Sequence, residues 1–294
     1  MRRLFYILTI LLFVSCEKNV SYDAQGTFEA TEVIISSEAT GRILNFDVAE
    51  GENLKANAVV GAIDSVQLHL QRKQLVAQQS ALLNSRPDKE KQVASLREQI
   101  STLKTELKRV ENMLRDGAAT QKQYDDIASQ INIYESQLTA TLSTLDNNTL
   151  TINENAAALE AQIAALNDRI EKCRITSAVR GTVLVKYAEA GEYATVGKPM
   201  MKVADLDNVY LRAYFTSDQL SKVKLGEEVK VIADFGGEER YEYVGRVAWV
   251  SSESEFTPKS IQTKDSRANL VYAVKIAVKN DGCLKIGLAG EVIL

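Results

Sequence analysis

Residues able to do acid–base, metal or nucleophilic chemistry are sparse in this chain. Its single histidine, His69, stands in the run Gln67-Leu68-His69-Leu70-Gln71 with no cysteine nearby. A metal site or an activated nucleophile there lacks its second and third members. Cys173 and Cys283 lie more than a hundred residues apart in the 294, a spacing that fits neither a zinc motif nor a disulfide framework. No glycine-rich loop opens onto a helix to cradle phosphate. A net charge of -4 with 25% charged residues leaves no clustered basic footprint for nucleic acid. The chain is therefore not expected to be an enzyme, to hold a cofactor or metal, or to bind nucleic acid.

The third cysteine, Cys16, reads differently. It closes MRRLFYILTILLFVSC, in which two arginines precede an apolar run of eleven residues from Leu4 to Val14, interrupted only by Thr9. A bilayer span needs roughly 20 apolar residues, so the run reads as a signal peptide over 1–15. A buried N-terminal helix is the alternative, which the Arg-Arg start and the polar switch at Glu17 oppose. Phe13-Val14-Ser15-Cys16 resembles a bacterial lipobox. Cys16 then becomes the lipidated first residue of the mature chain, with 16–25 as a lipid-anchored linker. Several acyl chains hold a protein durably, since each buried methylene contributes about 0.8 kcal/mol.

The elements that follow explain how so few reactive groups are organised. Val93, Leu96, Ile100, Leu103, Leu107, Val110 and Leu114 recur at alternating steps of 3 and 4, the seam of a coiled coil. After Gly117 the pattern resumes through Ile127, Ile131, Tyr134, Leu138, Thr141 and Leu145, and continues through Ile152, Ala156, Leu159, Ile163, Leu166, Ile170 and Cys173. Asn148 is expected at the seam between Leu145 and Ile152, as a polar layer in an unbroken helix. Leu68, Leu75 and Leu82 fall in the phase extrapolated back from Val93, so a first arm runs from Val66 to Arg115 with a break near Asn84 to Asp88, where Pro87 opens the next segment. The arms hold 50 and 54 residues, roughly 75 Å each if straight. Gly117 is placed to make the turn as a left-handed cap, and Thr120 to cap the second arm. A plain structural coiled coil also satisfies this pattern. Cys173, on the apolar face, is expected to pack.

The segments flanking the hairpin repeat one another. Gly41, Leu44, Gly51 and Glu52 match Gly181, Leu184, Gly191 and Glu192 at a constant offset of 140, and Ile43 and Ile63 match Val183 and Val203. Each half alternates apolar and polar residues about a Gly-Glu turn, and each alone is too small to bury its face. Two such halves resemble the quasi-symmetric lipoyl or biotinyl fold. Gly197-Lys198-Pro199-Met200-Met201-Lys202 looks like a biotinylation site, but the repeat aligns Met200 and Met201 with Val60 and Gly61 on a strand, which makes them core residues. From Tyr210 onward YLRAYF, EEVKVIADF, EYVGRVAWVS, LVYAVKIAVKN and AGEVIL read as strands of a closed barrel, TSDQLSKVKLGE as one short helix closed by Gly226, and Gly26 to Ser36 as an N-terminal strand joining the barrel.

The expected fold class is mixed α and β and elongated. A split lipoyl-like β-sandwich (37–65 and 174–205) carries an inserted long antiparallel α-helical coiled-coil hairpin (66–173), beside a β-barrel domain (26–36 and 206–294). That order, behind a lipobox, resembles the periplasmic adaptor (membrane fusion) proteins of the HlyD family. The resemblance implies a homo-oligomer, usually a hexamer, that links an inner-membrane transporter to an outer-membrane channel of the TolC kind in the periplasm of a Gram-negative bacterium, lipid-anchored with the inner membrane favoured. It also implies channel contacts at the hairpin tip, where the family carries an Arg, a Leu four residues later and a Ser seven beyond that; here those places hold Arg109, Met113 and Thr120. Two of the three are conservative replacements; without a channel, Arg109 is a solvated charge, Met113 a flank of the seam and Thr120 only a cap.

Phe256 to Asn280 looks like the barrel loop and strand of adaptors that serve ATP-driven (ABC-type) exporters, and only 45 residues follow Trp249, little room for the further domain of the proton-driven (RND-type) branch. The ABC branch is favoured and the RND branch is the alternative. Two other classes stay open: a lipoyl or biotinyl carrier, which requires a modified lysine at the inter-half turn, and a scaffolding lipoprotein.

Overall fold

The structure, a computed structural model, describes residues 22–236, 240–256 and 270–294. The signal segment and Cys16 lie outside the described residues, as does part of the Phe256 to Asn280 stretch. In chain order the elements are β1 (Ala24–Glu29), β2 (Glu32–Ser36), β3 (Gly41–Phe46), β4 (Asn53–Leu54), β5 (Val59–Ile63), α1 (Val66–Asn84), α2 (Lys89–Arg115) and α3 (Gln121–Glu171). There follow β6 (Arg174–Thr176), β7 (Gly181–Lys186), β8 (Tyr193–Ala194), β9 (Pro199–Ala204), β10 (Asn208–Thr216), α4 (Ser217–Leu220), β11 (Glu228–Asp234), β12 (Tyr241–Phe256), β13 (Leu270–Lys279) and β14 (Ala289–Ile293).

The two halves of the repeat build the sandwich by exchanging strands. Its sheets run β2-β9-β7-β4 and β6-β5-β3-β8, so β4 of the first half pairs with β7 of the second, and β8 of the second with β3 of the first. The backbone bonds obey the same symmetry: the amide of Gly51 donates to the carbonyl of Val183, and that of Gly191 to Ile43, both at 2.8 Å. Both glycines need the left-handed region, with φ of 87° and 93°. Gly41 and Gly181, which anchor the repeat, are fixed by crowding instead. A Cβ on Gly181 would lie 2.4 Å from the Ala204 carbonyl oxygen, and one on Gly41 2.8 Å from an Ile63 methyl. The symmetry reaches further than the alternation shows. Ser37 and Ser177, again 140 apart, are both buried, and each hydroxyl donates at 2.7 Å to the carbonyl two residues on. Met200 and Met201 are fully buried on β9 among Ile43, Ile63, Val183 and Val203. Lys198 and Lys202 are ion-paired with Glu192 and Glu32.

The barrel closes in the order β1-β10-β13-β12-β11-β14, around Phe28, Leu211, Phe215, Val231, Ile276 and Val292. Closure gives each of the six strands a neighbour on both sides, the last part of β12 excepted. The N-terminal strand expected over 26–36 divides in two. β1 pairs with β10 and β14 in the barrel, whereas β2 pairs with β9 in the sandwich. The reason is that β9 and β10 are themselves consecutive: a chain running antiparallel to them leaves the barrel at Glu29 and enters the sandwich at Glu32. The short helix is also shorter than expected. α4 is a single turn, capped at Thr216, and ends at Leu220; the chain then turns before Gly226 (φ 84°), with Leu220 and Val223 packed on the barrel core.

The hairpin follows its heptads with two departures. Val93, Ile100 and Val110 of α2 and Ile131, Leu145, Ala156 and Leu166 of α3 are buried, while α1 buries no residue fully and leaves Leu68, Leu75 and Leu82 half-buried. The first arm breaks between Asn84 and Lys89, but Pro87 stands one residue before the cap rather than opening α2. Asp88 is the N-cap, its carboxylate accepting from the Lys91 amide at 3.2 Å, a bond that lowers its pKa. The second departure lies opposite. α3 is continuous for 51 residues, yet Asn148 is exposed and Thr149 takes the half-buried place, its hydroxyl donating to the Leu145 carbonyl at 2.7 Å. From Leu145 to Ala156 the seam advances eleven residues, a step that locally unwinds a coiled coil. It falls where the facing arm is interrupted, since the Lys89 ammonium at the start of α2 meets the Asp146 carboxylate.

Candidate functional site: a capped hairpin tip on a fixed mount

The tip is built from backbone bonds. α2 ends with Asp116 as its cap and Gly117 in the left-handed region at φ 73°. The Ala118 amide donates to the Met113 carbonyl at 2.8 Å and that of Gly117 to Leu114 at 3.1 Å. This pair of bonds is the Schellman motif, which satisfies carbonyls that a helix end otherwise exposes. α3 begins three residues later with a capping box. Thr120 Oγ1 accepts from the Gln123 amide at 3.4 Å, and Gln123 Oε1 accepts from the Thr120 amide at 2.8 Å. The sequence signal for Gln123 is the Thr-x-x-Gln spacing of Thr120-Gln121-Lys122-Gln123. Both strokes of the turn are thus held rigidly by local bonds and expose their side chains.

Arg109 and Met113, four residues apart on α2, share one outward face. Met113 is 41% exposed. The Arg109 guanidinium is exposed and pairs with Glu106 of the same helix at 2.6 Å, a surface pair that contributes little to stability. Thr120 lies across the turn, and its hydroxyl is engaged in the cap, also donating to Gln123 Oε1 at 3.1 Å. Cross-arm ties lie lower: Lys104 with Glu135 at 2.7 Å, and Arg72 Nε donating to Asn167 Oδ1 at 2.7 Å. The tip therefore offers an apolar knob and a cation held only by a rim pair, suited to docking rather than to bond making. His69 is exposed on α1, and among the described residues no cluster of three His, Cys, Asp or Glu could hold a metal.

At the other end both feet of the hairpin enter one core. The Ile63 amide, at the end of β5, donates to the Cys173 carbonyl at 2.7 Å, just beyond α3. Cys173 is 3% exposed among Ile43, Ile63 and Ile175, and its thiol donates to the Arg169 carbonyl at 3.3 Å. Burial raises its pKa, which keeps the thiol protonated and unreactive. It belongs to the sandwich core, past the helix on whose apolar face it was expected.

A closed barrel, an interrupted sandwich and a two-arm helical hairpin compose the fold of the membrane fusion proteins. The structure matches the membrane fusion protein Spr0693 from Streptococcus pneumoniae R6 with a TM-score of 0.56 at 13% identity, over 92% of this chain and 96% of that one. It matches MacA from Actinobacillus actinomycetemcomitans with a TM-score of 0.55 at 18% identity, over 92% and 76%. In sequence it is 26% identical over 298 residues to the UPF0194 membrane protein YE2891 of Yersinia enterocolitica, covering 92% of this chain and 89% of that relative. No protein-family model matches the chain. Among the described residues no helix is long and apolar enough to cross a membrane.

Proposed function

We propose that this chain is the periplasmic adaptor subunit of a tripartite export system, linking an inner-membrane ABC-type transporter to a TolC-like outer-membrane channel. The observation that carries the proposal is the hairpin itself: a long helical pair with a rigid, exposed tip and both feet locked into one strand-exchanged sandwich. A mount of this kind fixes the direction of the hairpin, and a fixed direction matters for a part that must span a gap and meet a partner. In this reading Arg109, Met113 and Thr120 meet the channel, copies of the chain assemble as a hexamer, and Cys16 carries the lipid that holds the other end at the inner membrane. The ABC assignment rests on the resemblance of the 256–280 stretch. The chain itself performs no chemistry; the transporter supplies the energy.

Placing aspartate at Met113, or alanine at Arg109, is expected to abolish export while circular dichroism and cellular abundance stay unchanged. Export that survives both changes overturns the tip assignment. Cys16→Ala is expected to release the protein from the membrane fraction; continued attachment with an uncleaved signal would show a retained N-terminal anchor instead of a lipid.

A further inference from the structure

The barrel has two unlike ends. At one, β1 leaves at Glu29 for the sandwich and β10 arrives from it at Asn208. The antiparallel register gathers at the other the start of β1, the end of β10, the start of β13 and the end of β12: Gln25 faces Tyr214, Thr216 faces Val271, and Phe256 faces Leu270. β11 and the residues just before it bond β12 no further than Val247, so the last part of β12 continues beyond them paired with β13. This free end exposes large apolar side chains, Phe256 at 84%, Leu225 at 72% and Leu270 at 51%, while Trp249, also exposed, lies further back along β12 opposite Lys275. Lys222 and Lys224 precede Leu225, Glu227 and Glu228 follow it, and the Lys275 ammonium lies 5.8 Å from the Trp249 ring centroid. Asp218 and Glu253 are exposed in the same region, and Glu255 is ion-paired with Arg212 at 2.9 Å.

The chain outside the described residues enters at this end. Tyr22 stands two residues before β1, and the Asp23 carboxylate accepts from the Leu294 amide at 2.9 Å. Cys16 stands six residues before Tyr22, a reach of at most about 20 Å when extended. A lipid there holds the free barrel end, and not the hairpin tip, against the bilayer. Apolar and tryptophan side chains among lysines are the composition of a membrane–water interface. We infer that the free barrel end, through Phe256, Leu225 and Leu270, seats in the headgroup layer of the membrane to which the chain is anchored, with Trp249 on the wall just behind it. The inference rests on the proposed lipid at Cys16, which raises the local concentration of membrane surface and makes a weak second contact effective. Because the charges are mixed, apolar insertion drives the contact and a zwitterionic surface suffices. Two contacts orient the hairpin away from the membrane, whereas one alone leaves it free to tilt.

Trp249 is the only tryptophan, so its fluorescence reports on the barrel wall behind this end and on nothing else. The chain beginning at Glu17, which has no lipid and keeps every described element, is titrated with phosphatidylcholine vesicles and with vesicles containing phosphatidylglycerol. A blue shift of Trp249 emission, quenching by brominated acyl chains and similar binding to both vesicles are expected. The triple variant Leu225→Ser, Phe256→Ser, Leu270→Ser alters only exposed side chains and is expected to keep its circular dichroism while its partition coefficient falls at least about tenfold. Unchanged emission with no cosedimentation, or a triple variant that binds as well as the parent, overturns the inference. So does a face that ignores vesicles but crosslinks in cells to an integral membrane protein, which makes it a protein dock. Metabolic labelling of the full chain and of Cys16→Ala with radioactive palmitate reports separately on the lipid anchor, and vesicle binding is indifferent to whether the tip meets a channel.

Discussion

The mount and the tip of the hairpin are made by opposite means. In the sandwich, strands from residues 140 apart complete each other's sheets, and Met200, Met201, Ile43 and Val203 have no exposed surface. At the tip, every stabilising bond is local, the last fully buried residue of α2 is Val110, and Met113 and Arg109 face outward. The difference separates two kinds of residue. At the mount, side chains hold the structure and are costly to change; at the tip, those of Arg109 and Met113 hold no cap or core contact, which is the condition for a surface that serves a partner.

The strongest way to break that contrast is at the mount. Gly181→Ala forces a Cβ to 2.4 Å from the Ala204 carbonyl oxygen, and Met200→Ala empties a fully enclosed site. Each is expected to cost about 3 kcal/mol, read as a lower unfolding midpoint. Cys173 offers a local check. Exposed Cys283 should react with maleimide at once, while buried Cys173 should react orders of magnitude more slowly, and faster in either mount variant. Equal labelling of the two thiols in the parent protein would show that the feet are not locked.

A smaller effect sharpens the comparison inside the hairpin. Ile100→Ala removes a buried seam residue and is expected to cost about 2 kcal/mol, whereas Leu75→Ala, on the half-buried α1, should cost about 1 kcal/mol. The order reverses if α1 is the more firmly packed arm. The smallest expected change is at the tip, where Arg109→Ala and Met113→Ala should move stability by no more than about 0.5 kcal/mol. A large loss there would make both residues structural and remove the contrast.

Much of this architecture is legible in the residues. The 140-residue offset reveals a domain in two parts, the 3-and-4 spacing reveals two long arms, and alternation after Tyr210 reveals a barrel, because burial on one face leaves a period in the sequence. What the period does not carry is which strand finds which neighbour. Nothing in Asn53-Leu54 or Tyr193-Ala194 announces that each pairs with the opposite half. The strand expected over 26–36 divides because of its neighbours in the sheet, not because of a break in its own pattern. Likewise Asn148 stands at a heptad position, but the interruption at Ser85 to Asp88 on the facing arm shifts the seam to Thr149. At the tip, spacing located Gly117 and Thr120 as turn and cap, since both act through local backbone bonds. Any role of Arg109 and Met113 depends on a second molecule.

That dependence sets the decisive measurement. A photo-reactive amino acid is placed at Met113 in the full chain, and intact cells are irradiated, with the same group at the exposed and distant Val59 as control. The adaptor reading predicts a crosslink from position 113 to an outer-membrane channel protein and none from position 59. Capture of no envelope protein at 113, in cells where export is active, would contradict it.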